Sequence, residues 1–187
     1  MAERYTARHA WHDSHSGNRS HAMARAVLEA ASLTRSTRSA IGRTVAAHVQ
    51  DAVASLPLTL RLFGDHLYSP LARDQDRLEA ERLVLEQALA RHKPMRNPKK
   101  QYAPHVAAAA LHRYRQMHQG GQGAGIDPMP NPEALRAWIL ATRGVCLESM
   151  QWTREWAPFL QACMDVCADL DAEALAPVAS RLGAMTA

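Results

Sequence analysis

Three observations predict an all-α fold. Apolar residues recur at helical spacing in one segment after another, no stretch alternates apolar and polar residues for long enough to make a strand, and proline or glycine marks the ends of the periodic segments. The chain has 187 residues, 47% of them apolar and 5% aromatic, which suits one globular domain or two small ones. That apolar content excludes disorder throughout. The longest apolar run, Val106 to Leu111, is far shorter than the ~20 residues a membrane span needs. The expected architecture is a helical bundle of about six or seven helices with a Gly/Pro-rich hinge loop.

Residues 1–19 read as a flexible His-rich arm, polar and without the apolar stretch of a secretory signal. The first helix spans 20–32, with Ser20 as N-cap and Ala24, Val27, Leu28 and Ala31 on one face. A longer helix begins near Ser36 or Thr37, carries Ile41, Val45, Val49, Ala52, Val53 and Leu56, and is closed by Pro57. The stretch Leu58 to Leu71 reads as a turn and one short helix. A third long helix starts around Asp74 and runs until Pro94, after which 93–104 is an extended basic connector. Pro104 opens a helix whose Ala-rich run is a strong helix former.

The loop 119–131 holds four glycines and is the expected hinge or domain boundary between an N-terminal region, 20–118, and a C-terminal helical region, 132–187. Asn131, Pro132 and Glu133 signal the start of the next helix, whose stripe is Leu135, Trp138, Ile139, Val145 and Cys146. A further helix starts at Pro158, with Cys163 and Cys167 on its apolar face, and a short last one ends at Gly183.

Charge is distributed in blocks. Residues 1–50 carry seven basic and three acidic side chains, 51–90 four and seven, 91–118 seven and none, and 119–187 four and eight. The third block contains Arg91, Lys93, Arg96, Lys99, Lys100, Arg113 and Arg115 together with His112. Positive charge this concentrated attracts a phosphate backbone, because each contact releases a condensed counterion; the alternative is a solvated basic face. Arg38 and Arg43 stand in the first turns of the helix after Ser32–Arg35, a weak helix-turn-helix arrangement that lacks the usual glycine in its turn. Trp152 and Trp156, one helical turn apart, serve either as core or as a surface for a protein partner.

No catalytic signature is found. Paired carboxylates in distinct settings, a nucleophile elbow and a phosphate-binding glycine loop are all missing from the sequence. The histidines His9, His12, His15 and His21 lack a rigid frame for a metal site, and Cys163 and Cys167 lack a companion knuckle, so neither a metal nor another cofactor is expected. Three cysteines are too few for a disulfide framework and agree with a reducing compartment.

The string from Leu56 to Pro70, L-P-x-x-L-R-x-F-G-x-x-L-Y-S-P, resembles a family of small helical proteins encoded in proteobacterial phages and prophages. In size and basic helical character that family is similar to the late-gene transcription antiterminators of lambdoid phages. The resemblance implies a regulator in the cytoplasm of a bacterial host that binds DNA near a late promoter and loads onto RNA polymerase, with nascent RNA as a further contact and no enzymatic activity. It assigns no residue a role, and the cysteine-based zinc module of some antiterminators is not matched. The competing expectation is a phage adaptor or assembly protein that binds only protein, as a homo-oligomer or with another partner.

Overall fold

A computed structural model describes residues 6–15, 35–118, 126–147 and 151–186, with the side chains at 35–39, 97, 98 and 186 outside the description. Every regular element among these residues is helical, as the periodicity predicts. The elements are α1 (Ala7–Ser14), α2 (Arg35–Ala54), α3 (Leu58–Tyr68), α4 (Asp74–Arg91), α5 (Asn97–Lys100), α6 (Ala103–His118), α7 (Pro132–Arg143), α8 (Trp152–Glu155) and α9 (Ala157–Thr186). The chain divides into two compact units, Met1–Asp76 with Asp171–Ala187, and Arg77–Leu170. The division therefore falls inside α4 and α9. Both flanks of the glycine-rich loop belong to the second unit, which corrects the expectation of a boundary at 119–131; residues 119–125 themselves, and the expected first helix 20–32, lie outside the described residues.

In the first unit α1 packs on α2 and α3. Residues 7–14, expected to belong to a flexible arm, are thus a docked helix. Thr6 caps it by accepting from the His9 N–H, and Trp11 is fully buried. The indole lies where a Cβ on Gly64 would stand, with Cζ2 only 2.5 Å from that position. Its Nε1 donates to Asp65 at 3.1 Å, although desolvation raises the Asp65 pKa above the ordinary carboxylate range. Gln50 Nε2 donates to the Ser14 carbonyl at 2.7 Å and ties α1 to α2. Around this seat Val45, Val49, Val53, Leu60, Phe63 and Leu67 form the core with Ala174 and Val178 of α9.

A polar cluster is buried beside it. Asp171 is 1% exposed; it accepts from Arg8 Nη2 at 2.6 Å and from the Tyr68 hydroxyl at 2.5 Å, while Arg8 Nε donates to that same hydroxyl at 3.0 Å. Burial, then the adjacent Asp171 charge and hydrogen bond, push the Tyr68 pKa upward, so the phenol stays protonated and donates.

The second unit is built around the alanine-rich face of α6, buried from Val106 to Leu111, with Ala80, Val84 and Ala88 of α4, Leu135 and Ile139 of α7, and Phe159, Cys163, Val166 and Cys167 of α9. Asn131 caps α7 by accepting from the Ala134 N–H at 2.8 Å. Gly144 ends it with φ of 64°, a left-handed conformation that favours glycine. Val145 and Cys146, expected on its stripe, therefore lie beyond the helix. The two expected C-terminal helices are one element, α9, which continues through Pro177. Glu173, whose carbonyl loses its helical donor to that proline, is exposed to water.

Burial pushes the Cys163 thiol up to about 12, and Cys167 is buried too, whereas Cys146 is exposed. A thiol reagent in native buffer is expected to modify Cys146 and to reach the other two only after denaturant is added. Equal labelling rates for all three in the folded protein would contradict this packing.

Candidate nucleic-acid interface

The basic block begins at the last residue of α4. The His92 N–H still reaches the Ala88 carbonyl at 2.9 Å, after which Pro94 prevents the helix from continuing. The connector was expected to be extended throughout; it contains the single helical turn α5, with a proline among its first residues and Lys99 and Lys100 in its last turn. Two residues later Tyr102 accepts the first backbone bonds of α6, from His105 at 3.1 Å and Val106 at 3.3 Å.

The seven cations of the block have unlike surroundings. Arg91 Nη1 pairs with Asp169 at 2.7 Å, and Lys99 Nζ with Glu155 at 2.8 Å. Arg113 grips Asp127 with two bonds, at 3.0 and 2.6 Å. That grip, more than the N–H donated to Asp127 by Met129, holds the Asp127 carboxyl below its usual range. Arg115 is half-buried, which lowers its pKa. Lys93, Arg96 and Lys100 are exposed and have no ion-pair partner among the described residues. Of the phosphate contacts expected in the block, these three are both exposed and outside the described ion pairs.

His112 does not behave as a cation. Its ring stacks on Trp138 with centroids 4.8 Å apart, and burial, followed by the Arg115 charge, lowers its pKa, so it is neutral at pH 7. Arg43 is exposed on α2, and the side chain of Arg38 lies outside the described residues, as does the helix that would complete the helix-turn-helix. Trp156 is 2% exposed, with its ring 6.4 Å from that of Phe159. It is core, and the reading of it as a partner contact is corrected. Trp152 is half-buried.

The sequence reading did not anticipate that the carboxylates opposite the basic block come from the acidic segment after it. Asp127, Glu155 and Asp169 all lie in 119–187, and the neighbouring +7 and −4 blocks were the available signal. Among the described residues no helix is long and apolar enough to cross a membrane, and no group of three or more His, Cys, Asp or Glu side chains is placed to hold a metal ion. Comparisons of the chain with protein-family models, curated proteins and solved structures find no match.

Proposed function

We propose that the chain is a non-enzymatic nucleic-acid-binding regulator that meets duplex DNA through the connector between α4 and α6, and that it acts in phage late transcription as an antitermination factor on RNA polymerase. The observation that supports the DNA contact is the exposed set Lys93, Arg96 and Lys100, on a segment with no acidic residue from 91 to 118. Support for the transcriptional role is the phage-like string from Leu56 to Pro70. Of that string, Gly64 is the seat of Trp11 and Tyr68 belongs to the buried cluster, so these two residues serve packing.

Fluorescence anisotropy with a labelled duplex of random sequence tests the contact. Exchanging Lys93, Arg96 and Lys100 together for alanine is expected to weaken binding by about tenfold or more at low salt and to flatten the slope of log affinity against log salt by about 2 to 3. Unchanged affinity and slope would reject this surface. Read-through of a terminator by bacterial RNA polymerase in the presence of the protein tests the transcriptional role.

The protein-only adaptor has one specific observation in its favour. Arg91, Lys99 and Arg113 are matched by carboxylates of the same unit, so part of the charge of the basic block is already met by the acidic segment. That reading predicts a homo-oligomer or a protein complex whose mass is unaffected by added DNA or RNA.

A further inference from the structure

The two ends of the connector are held in the same way. Arg91 at its start pairs with Asp169 of α9, and Lys99 near its end pairs with Glu155 of α8. Between them the His92 ring meets Phe159 edge-on, at 5.5 Å and 82°. Both carboxylates come from the segment that follows the block, and the block has none of its own. We infer that Asp169 and Glu155 are internal competitors for phosphate, holding Arg91 and Lys99 back from nucleic acid until a backbone phosphate takes the place of the carboxylate. This inference rests on the nucleic-acid reading above.

Exposure of the cation separates these pairs from the third one. The Arg91 and Asp169 side chains are 42% and 67% exposed, and those of Lys99 and Glu155 40% and 26%. Ion pairs in such settings are screened and contribute little to stability, so a phosphate can reach the cation and exchange for the carboxylate without dismantling the fold. The Arg113 side chain is less accessible than either cation, at 23%, and is joined to Asp127 by two hydrogen bonds, with Asp127 also holding the Met129 N–H at 2.9 Å. That pair fixes the chain after the glycine-rich loop. The connector thus presents three cations ready for contact, Lys93, Arg96 and Lys100, beside two, Arg91 and Lys99, whose contact displaces a carboxylate.

The test compares the full chain with its E155Q/D169N variant on the same labelled duplex, from about 50 to about 200 mM salt. Relieving two cations of their carboxylates is expected to raise affinity about three- to tenfold at the low end and to leave the log–log salt slope unchanged, because the same phosphates are contacted by both proteins. Adding Lys99→Ala to the variant removes one of those contacts and is expected to flatten the slope by about 0.9 and to cancel part of the gain in affinity. The urea midpoint of the variant, measured alongside, is expected to stay close to that of the parent. A single-stranded RNA of the same length forms the second arm, and equal or greater gains on RNA would overturn duplex DNA as the ligand. If the parent binds and the folded variant binds no more tightly, the competitor role fails while the nucleic-acid reading stands. If neither protein binds in a salt-dependent way, both fail.

Discussion

Replacing Gly64 with alanine is expected to destabilise the first unit by about 3 kcal/mol, between the ~1–3 of overpacking a core and the ~3–5 of losing a large aromatic from it. The new methyl would stand against Cη2 and Cζ2 of Trp11, which is fully buried. Its neighbours on this seat are Asp65, which takes the indole N–H, and the Tyr68 ring 6.1 Å away. The indole would therefore have to leave the seat that docks α1. A double-mutant cycle separates this steric cost from helix propensity. In a Trp11→Ala background the clash partner is gone, and Gly64→Ala, in the middle of α3, is expected to become stabilising by about 0.5–1 kcal/mol. An equal loss in both backgrounds, read from urea midpoints, would contradict the seat.

This pair of residues marks the limit of what the sequence conveys. The caps of α7 were legible because they are local: Asn131 and Pro132 lie within one turn of the backbone they organise. The helical class was legible for the same reason, since Val45, Val49, Ala52 and Val53 need only their own periodicity to predict one buried face. The docking of α1 was not legible. Its apolar content is Ala7, Ala10 and Trp11 among polar and His residues, and the complement to Trp11 is a missing side chain on a helix distant in sequence. Gly64, a poor helix former in the middle of a helix, was a clue that something approaches its backbone closely.

The candidate site was half legible. Block arithmetic located the cations, but the same arithmetic contained their partial neutralisation. A −4 block following a +7 block leaves open whether the two meet, and only the fold brings Asp169 to Arg91 and Glu155 to Lys99. His112 illustrates the same point in the other direction. Its place within a basic helix suggested phosphate or solvent, whereas the Trp138 ring and burial make it a neutral stacking partner. Pro177 shows packing overriding a local rule as well: proline usually ends a helix, yet α9 continues through it, burying Ala174 before it and Val178 after it.

Removing the acceptor of the buried cluster is the other change with a large expected effect. Asp171→Ala leaves the Tyr68 hydroxyl, nearly sealed from water, with Arg8 Nε as a donor to it but without its own acceptor, and leaves the Arg8 guanidinium without its counter-charge. Breaking a buried ion pair costs about 3–5 kcal/mol, and the low end applies because the Arg8 side chain is 36% exposed and can recover hydrogen bonds from water. The loss is therefore expected to be about 3 kcal/mol, and less for Asp171→Asn, which keeps an uncharged acceptor for Tyr68. The cluster need not stabilise the protein overall, since desolvation of its charges opposes what their attraction contributes. Exchanging all three residues for apolar ones of similar size, Arg8→Met, Tyr68→Phe and Asp171→Leu, is accordingly expected to recover most of what Asp171→Ala alone loses. Urea denaturation of the three proteins decides the matter. A triple variant no more stable than Asp171→Ala would mean that the polar cluster is a net source of stability, and that α1 is held to α3 and α9 by its hydrogen bonds more than by the burial of Trp11.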